Sequence, residues 1–345
     1  MGWRIGALAL IWAFSARELM FEAVAVAASA AVPPAAGPAP STTLSERHPG
    51  DVGIATDRSV VLYENFEEGS VAAVMARYDV ARHPEGMALV EDHPAHSSGT
   101  HSLRLTSGGN NAATDLYKNF GAGFDQLYFR YYIKYLGGGP WHHSGLWFGG
   151  YNPPLAFPFP RTGSKPTGND LFSIALEPVS DDRRMDFFNY WMEMHSWKAA
   201  PTGEHGDYWG NTLVHSAEFR NVSDTWVCYE IHLKLNPDPA TGAGGVLEIW
   251  QNDALVRRFD DAHLGYWVRD KFCPDDANGP ECTTYRPANP ILVRLDQRWR
   301  ADPALKINYF WPQNYNTASA ESSVLLDDIV VATERIGCTA TSASR

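Results

Sequence analysis

The chain is poor in cysteine, in positive charge and in long apolar runs. Four cysteines occur in 345 residues, and no two stand in CxxC spacing. That counts against the common structural zinc sites, whose ligands come at short fixed spacings. Lys and Arg total 28 against 40 Asp and Glu, a formal net charge of −12. General nucleic-acid binding rests on a basic footprint, so nucleic acid is not an expected partner. Beyond the N-terminal stretch, no segment reaches the roughly 20 apolar residues of a membrane helix. There are no repeats, and no long segment keeps a helical period of apolar residues. The hydrophobic fraction is 44% and the charged fraction 20%, which excludes wholesale disorder.

What is there begins with a leader. Ile5 to Ala16 reads IGALALIWAFSA behind Arg4. It is too short to span a membrane and has the length of a signal-peptide core. Ala28-Ser29-Ala30 offers small residues for cleavage, and Pro33 to Pro40 reads as a linker. The expected layout is a signal peptide over 1–30, a Pro/Ala-rich linker over 31–56, one domain over 57–338 and a tail over 339–345. The mature chain would then be secreted or periplasmic, with no membrane attachment once the leader is removed. A start codon assigned upstream of a shorter leader is the alternative. Cys273 and Cys282 bracket the loop CPDDANGPEC, a candidate local disulfide that would leave Cys228 to pair with Cys338. Four cysteines allow three pairings, and the sequence does not choose among them.

From Val60 onward the pattern has a period of two. Leu127 to Tyr135 (LYFRYYIKY) sets Tyr128, Arg130, Tyr132 and Lys134 on one face and Phe129, Tyr131, Ile133 and Tyr135 on the other. Met185–Met194, Val227–Leu235 and Val246–Asn252 alternate as well, and Val324–Thr333 reads as a closing strand. Aromatic and β-branched residues fill these runs, and Gly, Pro, Asn and Asp separate them. The fold class is therefore all-β, an antiparallel β-sandwich of jelly-roll type. Two long insertions, 149–169 and 267–290, interrupt it, and loops of that length tend to be functional.

The densest polar and aromatic stretch is Gly137 to Asn152, GGGPWHHSGLWFGGYN. Together with the strand YFRYYIKY and the close LDDIVV…RIG, it resembles the jelly-roll polysaccharide lyases, the family 14 alginate lyases and the glucuronan lyases. In that pattern a Gly-rich turn leads to a basic residue shortly before Pro-Gly-Leu-x-Gly-Gly. Here the corresponding residues are His142 through Gly150, with His142 in place of lysine. The family's Ser-x-Arg corresponds to Ser173-Ile174-Ala175, which keeps the serine alone. Its paired tyrosines fall near Asn189–Met192, where Tyr190 is the one tyrosine. The resemblance implies a concanavalin A-like sandwich and an exported enzyme acting on a polyuronate.

Such a lyase cleaves a uronic-acid chain by β-elimination. The sugar carboxylate is neutralised, a base removes the neighbouring proton, and an acid protonates the leaving oxygen. Histidine, with an unperturbed pKa of about 6.5, suits base work near neutrality. His142 and His143 are the candidate bases, and Tyr190 and His195 the candidate acids or shuttles. Arg130, Lys134 and Asn189 are candidate substrate ligands, with Trp147, Tyr151 and Trp191 as rings for sugar faces. Strand parity groups Asn189, Trp191, Glu193 and His195 against Tyr190, Met192 and Met194. If the second set is core, Asn189 and His195 face the groove. His205–His215 supplies a possible second wall. No metal or cofactor is required, although Asp327 and Asp328 could serve a structural calcium.

Two other readings stay open. The same tryptophans and loops could bind a glycan without cleaving it. A sandwich glycoside hydrolase would need two carboxylates set for retention or inversion. Its usual Glu-x-Asp-x-x-Glu strand is absent, with Glu193 alone in NYWMEMHSW. The acidic net charge adds a condition: the groove must be locally basic, through Arg130, Lys134, Arg161, Lys165, Arg183 or Arg184, or a neutral glycan gains.

Overall fold

The computed structural model describes residues 42–157, 162–179, 183–198 and 207–339. The expected signal peptide, the first part of the linker and the tail from 340 lie outside the described residues.

Alternation of apolar and polar side chains puts one face of each strand on a core. In chain order the described strands are β1 (Val60–Glu64), β2 (Val80–Arg82), β3 (Met87–Val90), β4 (Ser102–Ser107), β5 (Ala112–Phe124), β6 (Gln126–Leu136), β7 (His143–Tyr151), β8 (Leu171–Pro178) and β9 (Met185–Tyr190). They continue with β10 (Val227–Lys234), β11 (Val246–Gln251), β12 (Ala254–Phe259), β13 (Leu264–Val268), β14 (Lys271–Pro274), β15 (Val293–Arg294), β16 (Ile307–Asn316) and β17 (Ser322–Ala332). Eight strands form one sheet, ordered β12-β11-β10-β6-β17-β4-β3 with β1 also on β17. Six form a second, ordered β2-β5-β16-β7-β8-β9. β13, β14 and β15 make a small third sheet.

The two large sheets pack face to face. Phe129 of β6 stacks on Phe148 of β7 at 4.2 Å, and its centroid lies 6.5 Å from that of Phe310 on β16. The architecture is the antiparallel jelly-roll sandwich that the alternation predicts. Because Phe148 and Phe310 point into the core, Trp147 and Trp311 beside them point out of the six-stranded sheet. The Gly-Gly ending the histidine motif has a packing reason. A Cβ on Gly150 would lie 1.9 Å from the Lys306 carbonyl oxygen, so only glycine lets these backbones approach.

Residues 42–56, expected to be linker, belong to the folded unit. A short helix, α1 (Leu44–Arg47), is closed by a Thr43/Glu46 capping box. Leu44 and Ile54 pack with Val330, Ala332 and Ile336 against the back of the eight-stranded sheet. The domain thus begins near Thr42 and not at 57. Both disulfides form, Cys228–Cys338 and Cys273–Cys282. No helix among the described residues is long and apolar enough to cross a membrane.

Candidate active site

The outer face of the six-stranded sheet carries a cleft of about 660 Å³. Its floor comes from alternate residues of β7, β9 and β16, and β2 closes one side. That puts His142 and His143, Trp147, Phe188 and Tyr190, and Trp311, Gln313 and Tyr315 around one space. Trp209 stands at its rim, half exposed.

His143 is held from the neighbouring strand. Its Nδ1 lies 2.8 Å from Oε1 of Glu177, a buried residue near the end of β8. With a carboxylate acceptor there, the neutral ring carries its proton on Nδ1 and leaves Nε2 as the basic nitrogen. Burial pushes the Glu177 carboxyl up, while His143 and then the Trp147 indole N–H pull it back. The His143 ring also stacks on Tyr315, at 5.6 Å between centroids and 18° between planes.

His142 differs. Its ring lies 4.0 Å from that of His143. Desolvation first, and the neighbouring His143 second, push it down to about 4. A group with so low a pKa is a weak base, which favours His143 for proton abstraction. Tyr190 is 1% exposed. Burial raises its phenol well above the usual range, and the Glu177 charge adds to this. Tyr190 therefore stays protonated and able to donate. The Tyr315 hydroxyl donates to Asn111 Oδ1 at 3.1 Å.

The cleft's fixed cation is Arg82, at the end of β2. Its Nε lies 3.1 and 3.0 Å from the two carboxylate oxygens of Asp115, a buried partner on β5, and Nη2 also meets Asp115. The guanidinium sits 4.3 Å over the Phe157 ring and 5.9 Å from that of Trp311.

Of the residues expected from sequence, His142, His143, Trp147 and Tyr190 meet in this cleft. The others do not. Arg130 is 0% exposed, paired with Asp51 and donating to Thr339 at 2.7 Å behind the eight-stranded sheet. Lys134, on the same side, pairs with Asp92 at 2.6 Å. Both corrections have one cause: the face expected to line a groove is covered by residues 42–56 and the chain end, or faces away from the cleft. Asn189 is buried on the inner face of β9, and its backbone pairs with Asn211. The parity expectation is thus reversed, with Tyr190 on the cleft face and Asn189 opposite.

That parity also stops early, because β9 ends at Tyr190. Trp191 turns inward, donates to the Asp296 carbonyl at 3.1 Å and packs against Trp299. His195 stacks on Trp267 at 3.8 Å, outside the cleft lining. Tyr151 is buried against Tyr309, 5.4 Å between centroids, and does not line the cleft. From the second-wall segment, Trp209 reaches the rim, while His205 lies outside the described residues. Of the expected basic residues, Arg184 pairs with Glu281 and Arg161 lies outside the described residues.

Asp327 and Asp328 lie buried beside Arg130, which lowers both carboxyls. Burial first, and then mutual repulsion, push the Asp327 carboxyl well up, and burial pushes Asp328 up as well. No group of three or more His, Cys, Asp or Glu side chains suits a metal among the described residues.

Sequence reasoning missed Arg82, Glu177, Gln313 and Tyr315. The last two were accessible: Tyr309-Phe310-Trp311-Pro312-Gln313-Asn314-Tyr315 alternates as cleanly as the strands that were read. Arg82 ends a strand of three residues, too short for any period to appear.

No family model and no curated protein matches the chain. Solved structures do. Alginate lyase Aly36B aligns over 80% of this chain and 98% of its own, at 14% identity and a TM-score of 0.47. The PL-14 alginate lyase from Aplysia kurodai aligns over 80% and 100%, at 12% and 0.49. Endo-β-1,4-glucuronan lyase from the fungus Trichoderma reesei aligns over 80% and 96%, at 11% and 0.43. Likeness at this level carries no residue role and no activity to the chain, so the chemistry has to be read from the cleft.

Proposed function

We propose that the protein is an exported polysaccharide lyase that cleaves a uronic-acid-containing polysaccharide by β-elimination. His143 Nε2 takes the C5 proton of a uronate. The C–H electron pair becomes the C4–C5 double bond, and the C4–O bond to the leaving sugar breaks. Tyr190 gives its phenolic proton to that oxygen. Glu177 orients His143 and stabilises the imidazolium that forms, as an acceptor behind a general base does.

One observation carries this reading: a histidine anchored on a buried carboxylate faces a cleft that holds a protonated phenol and, among the described residues, no lining carboxylate. Glycoside hydrolysis in its common form needs two carboxylates flanking the bond. Glu177 and Asp115 stand on the same face of the sheet but are buried, outside the cleft lining, and each is engaged by a basic side chain. The aromatic walls suit the apolar faces of sugar rings. Export is supported by the leader in the sequence and by two disulfides, which persist in oxidising compartments.

The test is to incubate the purified mature chain with uronic-acid polysaccharides and neutral glycans, following the ultraviolet absorbance of the unsaturated sugar. Growth of that signal, abolished in H143A and strongly reduced in Y190F, is expected. New reducing ends without absorbance would replace elimination by hydrolysis. Retained binding with neither signal would leave a non-catalytic glycan binder.

A further inference from the structure

Among the described residues the cleft is poor in cations and rich in rings. Among the described residues Arg82 is its one permanently charged group. Much of the rest of the lining is aromatic, with Trp147, Phe157, Phe188, Trp209 and Trp311, beside the polar Asn111, Thr162 and Gln313. The whole chain carries a net charge of −12. A run of consecutive uronates would lay one carboxylate on every sugar against this surface. Among the described residues only one of them would find a fixed positive partner, and the others would be desolvated on rings, which is costly for an unpaired charge.

Arg82 is built to receive that single carboxylate. Its Nε and Nη2 edge is spent on Asp115, which fixes the plane of the fork. Nη1 has no hydrogen-bond partner among the described residues, and the side chain remains 39% exposed. The guanidinium leans from β2 over Trp311, two strands inward. Register gives the span. Arg82 faces Asp115, Asp115 faces Gln313, and Gln313 faces Gly145, two residues from His143. Three strand spacings are about 14 Å. The Arg82 side chain covers part of that by leaning over Trp311, while His143 is anchored on β8 through Glu177. A uronate lying there would set its carboxylate on Arg82 and its C5–H toward His143.

We propose that Arg82 binds the carboxylate of the uronate being cleaved, and that the aromatic walls take uncharged sugars on either side. The substrate class is then an acidic heteropolysaccharide in which uronates alternate with neutral sugars. This rests on the lyase reading of the same cleft, and it deepens that reading by naming the polymer. Rings prefer the apolar faces of neutral or N-acetylated sugars, and a single guanidinium gives one carboxylate a charge-assisted bond.

The experiment compares alginate and glucuronan with unsulfated chondroitin and hyaluronan, in which uronate alternates with an N-acetylated sugar. Binding to each is measured by calorimetry, and elimination by ultraviolet absorbance. The wild-type chain should bind and cleave an alternating polymer at least about tenfold better than either homopolymer. R82Q should weaken that binding by about 10- to 100-fold, the worth of a hydrogen bond to a charged group. Binding to neutral glycans should not change. Because R82Q strands Asp115 in the interior, the R82Q/D115N pair is tested beside it, with folding checked by circular dichroism.

Equal or better use of alginate or glucuronan would overturn the proposal. So would wild-type affinity of the folded double variant for the alternating polymers. Arg82-dependent binding of an alternating polymer with no unsaturated product would sink the lyase reading and leave this one standing.

Discussion

Glu177→Gln tests the proposed base without changing its shape. The side chains are isosteric, so β8 and the cleft floor keep their packing. What changes is the hydrogen bond at 2.8 Å. A carboxylate can only accept from His143 Nδ1, whereas the amide can also donate to it. If the amide N–H donates, the ring proton moves to Nε2 and the base is blocked. If the amide oxygen accepts, no negative charge remains to stabilise the imidazolium. Either way general-base catalysis fails, a loss in kcat of about 10²- to 10⁴-fold, or about 3–5 kcal/mol of barrier. KM should move little, since Glu177 is buried and does not line the cleft.

Folding stability should respond in the opposite sense. Burial raises the Glu177 pKa, so the folded chain holds that proton more tightly than the unfolded chain. This contribution is fully present below the unfolded carboxyl pKa of about 4.3 and is lost as pH rises through the folded value. The variant lacks this dependence, so its stability relative to wild type should improve from acid to neutral pH. Steady-state elimination kinetics across pH, with urea unfolding at two pH values, measure both. A kcat and pH profile like the wild type's would refute the dyad.

Other consequences follow from single contacts. H142A should slow elimination by less than about tenfold, because a ring pushed down to about 4 contributes little as a base; a larger loss would shift the base to His142. Arg130→Ala should destabilise by about 3–5 kcal/mol, the cost of stranding buried Asp51. Substrate affinity of the folded protein should be unchanged, and a selective loss of affinity would restore the strand-face reading. Replacing Cys228 and Cys338, which close 110 residues, should cost about 4.8 kcal/mol against about 2.6 kcal/mol for the 9-residue Cys273–Cys282 loop, as read by urea unfolding. Gly150→Ala should lower the Tm sharply or prevent soluble expression, since its Cβ would meet the Lys306 carbonyl at 1.9 Å.

The fold could be read because a half-buried strand writes its burial in alternate residues. β6, β10 and β11 show this, and their apolar faces are those that meet in the core. Parity alone gives two faces, however, and not which one is open. For β6 the polar face was taken as a groove, but residues 42–56 cover Arg130 there. For β9 the error was in phase and in length, since Met192 and Met194 lie past the strand's end and made the Tyr190 face look like core. The histidine pair was legible from its local motif. Glu177 and Arg82 were not, because they join the site through sheet neighbours 34 residues from His143 and 33 from Asp115. A period-two pattern holds no record of which strands lie side by side.

The central claim is elimination at His143, and mass spectrometry of the products tests it most directly. A uronate-containing polymer cleaved by the wild-type chain should give oligosaccharides whose new non-reducing ends are one water lighter than hydrolysis would leave, and H143A should give none. Fragments carrying the added water, or unchanged cleavage by H143A, would contradict the account.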